Sequence, residues 1–323
     1  MRLKLVLLES RRMGFWCVAI VVATLWSEGR VLGQGQNEVD LKARILELEA
    51  ENAELRQLLE EIKALLARTP AAERPPEQPS TRFRLFVEPG EWGSSSVADI
   101  KKVCESAAMM FTPHLQSGVA APLLIQNDGS GPITLYRRGE NNEHIVRLDT
   151  KNRAWAQLAY QFSHELCHVM CNYRNVKNQQ LWFEETICEV ASLFALRQMA
   201  EAWKTDAPYS NWKSYSVSLK DYANQRLNGL DTGSETLEEL YIDNFDELQA
   251  SATNREVNNK LASKLLPIFE KHPSAWEAVR YLNRGPAEEN RAFDDYLRGW
   301  HSRVPETYKQ LVAEIASGFG TEL

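Results

Sequence analysis

The spacing of apolar residues predicts two long helices in the middle of the chain. Over residues 155–169, large apolar side chains recur every three or four positions, which is the repeat of a helix face packed on a core. Thr150 or Asn152 lies just before this stretch and is a candidate N-cap. A second stretch of the same kind begins near Leu181 and continues to Phe194. We therefore expect two consecutive helices, each with a buried face.

A different repeat covers residues 38–67. Here the apolar positions alternate in steps of four and three and form a heptad seam, with charged residues on the other faces. The seam consists of Leu41, Ile45, Leu48, Asn52, Leu55, Leu59, Ile62 and Leu66. Asn52 falls at an a position, where one polar residue favours a parallel two-stranded coiled coil. The repeat predicts a parallel homodimer; the alternative is a single amphipathic helix packed on the rest of the chain.

The pattern after the heptads predicts a linker and then an α+β domain. Residues 68–80 are rich in proline and predict a stiff, extended linker, so the globular domain is expected over residues 81–323. Short apolar runs between turn residues predict four strands, at residues 82–87, 122–126, 132–137 and 144–148. A helix is expected over 97–111, and the part from about residue 201 to 323 is mostly helical in pattern.

The N-terminus has the layout of a targeting segment over residues 1–33. Basic residues precede an apolar run from Phe15 to Trp26, which suits a signal peptide and is shorter than the roughly 20 residues that span a bilayer. We expect export to a secreted or periplasmic location, with cleavage near Gly33. The alternative is an uncleaved membrane anchor, because residues 5–8 add apolar length upstream.

Composition sets two limits on function. A hydrophobic content of 44% over 323 residues is enough for a sizeable core. The formal net charge is −7, from 37 Lys and Arg against 44 Asp and Glu. An acidic chain of this kind gives no electrostatic reason to expect nucleic-acid binding.

The two predicted central helices carry the most specific chemistry of the chain. Residues 164–168 read His-Glu-Leu-Cys-His. His164 and His168 lie one helical turn apart on the same face, where both imidazoles can bind one metal ion. Glu165 lies on the adjacent flank, within reach of a water bound to that metal. With a carboxylate from the second helix, the set matches catalytic Zn²⁺ sites, which have three protein ligands and one open position. The alternative is a pair of ordinary helix histidines without a metal.

Residues 145–200 resemble the gluzincin metallopeptidases, the class that includes thermolysin and the zinc aminopeptidases. Residues 182–186 read Trp-Phe-Glu-Glu-Thr and are similar to the Trp-x-x-Glu-Gly segment that carries the third zinc ligand in many of these enzymes. The resemblance implies that Glu185 is this ligand and that Glu189, one turn later, orients a ligating histidine. Thr186 replaces the usual glycine. Glu184 competes for the ligand role, although a simple acid in the first helical turn explains it as well.

The resemblance also implies a fold and an activity. The fold would be a zincin-like domain with a small mixed sheet, two motif helices and a helical C-terminal part. The activity would be that of an exported zinc peptidase, acting on a peptide or protein substrate with Glu165 as general base. In the family an edge strand before the motif helix pairs with the substrate, and residues 145–148 match it here; the alternative is an ordinary sheet strand. The alternative function is an inactive zincin-like binding module on a coiled-coil scaffold.

In gluzincins the C-terminal part also donates a group that stabilises the transition state. The candidates in this chain are Tyr209, Tyr215, Tyr222, Tyr241 and His301.

Cleavage at the predicted site would remove Cys17 and leave four cysteines: Cys104, Cys167, Cys171 and Cys188. In an oxidising compartment, a Cys171–Cys188 disulfide between the two motif helices is one expectation. Cys167 and Cys171 are poorly placed to pair, because positions four apart on a helix hold their Cβ atoms too far apart. Cys171 also shares a helix face with His164, and it is either a small buried residue or an unorthodox metal ligand.

Overall fold

The computed structural model describes most of the chain from residue 83 to the C-terminus. Within residues 83–323, the positions not described are 177, 229, 231, 232 and 287–290. Eight residues nearer the N-terminus are described, and all are helical: 44, 45, 48–50, 53, 56 and 57. The predicted signal peptide and linker lie outside the described residues, as does most of the heptad seam. The coiled coil therefore stays a prediction.

Four short strands form one mixed sheet in the second of the two compact units of the chain, Pro79–Leu323. The strands are β1 (Leu85–Val87), β2 (Leu123–Gln126), β3 (Ile133–Arg138) and β4 (His144–Arg147). Their order is β1-β2-β4-β3, in which β1, β2 and β4 are parallel and β3 runs antiparallel to β4. Helix α1 (Val97–Met109) connects the first two strands and packs on β1. The four predicted strands and this helix are confirmed.

The strand order corrects one prediction from the sequence. Residues 145–148 are expected to form the edge strand, but β4 lies inside the sheet, paired with β2 on one side and β3 on the other. The edge strand next to it is β3, where Ile133 and Tyr136 are exposed. β3 and β4 form an antiparallel hairpin, and the other side of β4 pairs with β2. The strand nearest the motif helix in sequence is therefore not the one at the edge of the sheet.

The two predicted motif helices are α2 (Trp155–Met170) and α3 (Leu181–Ala202), and they pack closely on each other. α2 also contacts α1, β3 and β4. Its N-cap is Ala154, which makes no side-chain capping bond, so the expectation of Thr150 or Asn152 is wrong. Asn152 instead adopts a left-handed backbone, with φ of 57°, and its side chain accepts a hydrogen bond from the backbone N–H of Ser94.

Helix α3 is the central element of the unit. It is buried on nearly all sides from Trp182 to Leu196, as expected for a helix that is apolar all round. It packs on α2, α4 (Ser216–Asn228) and α7 (Arg255–Lys271). Because several elements fix α3, the carboxylates in its first two turns have a defined position relative to α2.

The remainder of the described chain is helical, which confirms the predicted helical C-terminal part and the mixed α and β content. The other helices are α5 (Leu237–Asp243), α6 (Phe245–Ala250), α8 (Ala275–Val279), α9 (Phe293–Arg303) and α10 (Glu306–Gly318). Two 3-10 segments lie at Thr112–His114 and Ser210–Tyr215. Among the residues that the structure describes, no helix is both long and apolar enough to cross a membrane.

Candidate metal centre

The residues predicted to bind a metal come together where α2 packs on α3. His164 and His168 have ring centroids 5.1 Å apart. Glu185, in the first turns of α3, faces both rings. Its Oε2 lies 3.2 Å from His164 Nε2, and its Oε1 lies 3.6 Å from His168 Nε2. Two imidazole nitrogens and one carboxylate thus face one another, and such a set of donors can hold a divalent metal ion.

The other nitrogen of each ring faces a second carboxylate. His164 Nδ1 lies 3.6 Å from Glu189 Oε1, and His168 Nδ1 lies 2.7 Å from Glu184 Oε1. A histidine whose Nδ1–H donates to a carboxylate keeps its Nε2 lone pair free for a metal. Glu184 therefore orients the His168 ring through a hydrogen bond, and Glu189 lies beside His164 as a second carboxylate.

Glu184 is the residue whose role the sequence analysis misses. From the sequence it is either a competitor of Glu185 for the ligand role or a simple acid favoured by the helix dipole. In the structure its side chain is only 5% exposed, and it accepts hydrogen bonds from His168 and from Asn283 Nδ2. The available signal was the adjacent pair Glu184-Glu185: neighbours on a helix point roughly 100° apart, so two acids can face two nitrogens of one ring.

Glu189 belongs to a chain of contacts that leads from His164 to the opposite side of the cleft. Tyr160 donates a short hydrogen bond to Glu189. The guanidinium of Arg226, on α4, lies 4.7 Å from the centre of the Tyr160 ring and donates to the hydroxyl of Tyr222 at 2.7 Å. Burial and the charge of Glu189 raise the pKa of Tyr160 well above its usual range, so this hydroxyl keeps its proton and remains a donor.

Glu165 is held by the edge strand of the sheet. Thr134 on β3 donates its hydroxyl to Glu165 Oε2 at 2.7 Å. Glu165 is buried to 3% exposure, yet its side chain contributes to the lining of the cleft. Among the described residues, Glu165 forms no hydrogen bond or ion pair with the ring nitrogens of His164 or His168. This position suits a side chain that acts beside a bound metal ion rather than one that ligates the ion.

The charge balance of the cluster favours a cation. Burial disfavours protonation of His168, but the hydrogen bond that His168 donates to Glu184 and the charges of Glu185 and Glu165 outweigh burial and raise its pKa to about 10. Burial also lowers the pKa of His164, but Glu185 and Glu189 outweigh burial, so the pKa is raised overall. Four carboxylates surround two imidazoles, so positive charge is retained here either as protons or as a metal ion.

This arrangement predicts how the stability of the metal-free chain depends on pH. The pKa of His168 is about 10 in the fold, against an ordinary value of 6.5. Its protonation therefore stabilises the fold fully below about pH 6.5, and this contribution is lost as the pH rises toward 10. In urea unfolding with a chelator present, we expect a lower midpoint at pH 9 than at pH 6.5. In His168→Gln the urea midpoint should change much less between pH 6.5 and pH 9. An unchanged pH dependence in this variant would show that His168 does not cause it.

A cleft of about 640 Å³ opens onto the cluster. One wall is the edge strand β3, which contributes Ile133, Thr134 and Tyr136, and the opposite wall is formed by α4 and α7. Of the five candidate transition-state residues, Tyr222 lines this cleft and the other four do not. Those four have other surroundings: Tyr209 packs on Trp212, Tyr215 donates to a backbone carbonyl, Tyr241 stacks on Trp182, and His301 lies on α9.

The structure contains two groups of histidine and cysteine donors that could hold a metal ion. One is His164, His168 and Cys188; the other is Cys167, Cys171 and Cys188. For the histidine site we favour Glu185 over Cys188 as the third ligand, for a geometric reason. Glu185 is 21% exposed and lines the cleft, whereas Cys188 is fully buried, so an ion on the Cys188 side would have no open position for water.

The four described cysteines are all free and buried. The expected Cys171–Cys188 disulfide is therefore not formed in this structure.

Comparison with protein-family models, with curated proteins and with solved structures finds no match to this chain. The gluzincin resemblance thus rests on the motif residues of this chain, and a zincin-like assignment of the fold stays a proposal.

Proposed function

We propose that this chain is a zinc-dependent peptidase that works in the manner of the gluzincins. The observation that supports the proposal most directly is the position of Glu185, which faces the Nε2 atoms of both histidines at the floor of a cleft. The donor set fits zinc, because two imidazoles and one carboxylate with an open side are a known catalytic combination.

In this proposal His164, His168 and Glu185 hold the zinc ion. When bound, zinc lowers the pKa of a coordinated water to about 7 and polarises the scissile carbonyl. Glu165 accepts the proton of the attacking water and passes it to the leaving amine. Thr134 holds Glu165 for this task through its 2.7 Å hydrogen bond.

The edge strand is the proposed site of substrate binding. Among the strands that the structure describes, β3 pairs with β4 alone, and its residues line the cleft beside Glu165. An extended peptide could add to this edge through main-chain hydrogen bonds. This proposal replaces the expectation for residues 145–148, because β4 has partners on both sides.

Tyr222 is the proposed stabiliser of the transition state. Its hydroxyl oxygen already accepts a hydrogen bond from Arg226, which leaves its own proton available for the oxyanion that forms on the scissile carbonyl. We expect Tyr222→Phe to lower kcat by roughly 10²–10³-fold with little change in bound metal, the scale of one lost oxyanion donor. Tyr209→Phe is the matched control, since Tyr209 is outside the cleft and should leave kcat unchanged. Equal rates for both variants would remove Tyr222 from the mechanism.

The decisive experiment for the proposed function has two steps. The purified chain is first analysed for bound metal beside Glu185→Ala, and the expected result is one zinc ion that the parent chain holds and the variant loses. It is then incubated with a peptide library, and the products are identified by mass spectrometry. Zinc without cleavage of any peptide would favour the alternative, an inactive binding module.

Export and dimerisation complete the proposal. Both rest on the sequence pattern before residue 83: the apolar run after basic residues for export, and the heptads over 38–67 for a parallel dimer. The mass of the chain in solution, with and without residues 1–80, tests the dimer.

A further inference from the structure

Three cysteines meet inside the core, where α2 packs on α3. Cys167 lies in the last turn of α2, Cys171 is its C-cap residue one turn later, and Cys188 faces both from α3. Each pair of Sγ atoms is within 4.8 Å, and the Sγ atoms of Cys167 and Cys171 are 3.9 Å apart. All three side chains are fully buried, and none lines the cleft.

We propose that these three cysteines form a second metal site, which binds one thiophilic d¹⁰ cation. The proposal is independent of peptidase activity. The site would be structural, because it is closed to the cleft and offers no position for a substrate or a reactive water.

The spacing of the sulfur atoms fits three ligands around one metal ion. Sulfur atoms in a disulfide are about 2.0 Å apart. Three sulfurs around one ion, with metal–sulfur bonds of about 2.3 Å, lie about 4 Å from one another. The 3.9 Å between Cys167 and Cys171 matches the second arrangement, and the third sulfur is close enough to complete it.

The surroundings of the cluster favour a soft cation. All three donors are sulfur, which selects Cu(I) or Zn²⁺ over hard ions such as Mg²⁺ and Ca²⁺. Cys167 Sγ also lies 3.7 Å from the backbone carbonyl oxygen of Ile187. On binding, each thiol that becomes a thiolate releases its proton to solvent, so the ion replaces up to three protons.

The position of the cluster indicates its role. Cys167 is adjacent in sequence to His168, and Cys188 lies one turn after Glu184 and Glu185. An ion held by the three sulfurs would fix the turn of α2 that carries His168 to the turn of α3 that carries the two acids. It would therefore hold the elements of the histidine centre in register.

The test uses the full chain, prepared with reductant and then freed of metal. Cd²⁺ is titrated as the probe, and thiolate-to-metal charge-transfer absorption reports sulfur ligation. We expect the band in the parent chain and its loss in Cys171→Ala. Cys104→Ala is the matched control, because Cys104 is equally buried but lies on α1 outside the cluster, and this variant should keep the band. A parallel titration with Cu(I) against a competing chelator decides which ion binds more tightly.

A second measurement separates this site from the histidine centre and needs no cysteine variant. At saturation the parent chain should bind two Cd²⁺ ions, and Glu185→Ala should bind one while keeping the full charge-transfer band. A parent chain without that band would overturn the second site and leave the peptidase proposal untouched. The same conclusion would follow from a Cys171–Cys188 disulfide in the chain isolated without reductant, if the reduced chain then fails to bind Cd²⁺ through sulfur.

Discussion

Glu165→Gln is expected to reduce peptide hydrolysis by roughly two to four orders of magnitude while the zinc content of the chain stays the same. The amide cannot accept the proton of the attacking water, but it has nearly the same shape and still accepts the hydrogen bond that Thr134 donates to the carboxylate. The measurement is kcat/KM on the best library peptide, together with metal analysis of the same sample.

Glu201→Gln serves as the control for Glu165→Gln. Glu201 is near the end of α3, pairs with Lys204 and is exposed to solvent, so its substitution should leave both hydrolysis and metal content unchanged. If Glu165→Gln turns over peptide at the parent rate, Glu165 is not the general base. In that case another group in the cleft must accept the proton.

Glu185→Ala should abolish zinc binding at the histidine centre, and with it all hydrolysis. Only two imidazoles would then remain of the three proposed ligands. Glu184→Gln should keep the metal but weaken its binding by roughly 10–100-fold, which is the usual effect of removing a group that orients a ligating histidine. Competition with a chromophoric chelator measures both affinities.

The contrast between the two adjacent acids is what makes this comparison informative. Glu185 faces the Nε2 atoms of both rings, and Glu184 contacts His168 at Nδ1. The opposite result, with metal lost in the Glu184 variant and kept in the Glu185 variant, would show that His168 binds through Nδ1 and that Glu184 is the ligand.

Local patterns in the sequence predicted the elements of the fold well. The three-and-four spacing of apolar residues gave α2 and α3, because a helix with a buried face requires that repeat. The same geometry brought His164 and His168 to one face. Glu185 and Glu189 were predicted through the family resemblance, and the structure brings both close to the histidine rings.

What the sequence could not provide is information on which distant segments become neighbours. The order of strands in a sheet depends on how the chain crosses over, so the sequence could not decide between an edge strand and an ordinary sheet strand for residues 145–148. The role of Glu184 depends on the packing angle between α2 and α3, which also brings Cys188 to Cys167. The predicted N-cap of α2 was wrong because the side chain of Asn152 accepts a hydrogen bond from Ser94 in a loop contact.

The hydrogen bond between Thr134 and Glu165 connects the strand that would receive a peptide to the acid that would act on it. A ligand laid along β3 would therefore steady the strand and the acid together. Under this coupling, residues of a substrate far from the cleaved bond contribute to the chemical step as well as to affinity. Longer peptides would then gain in turnover number, and dipeptides, which cannot occupy the strand, would be poor substrates even at saturating concentration.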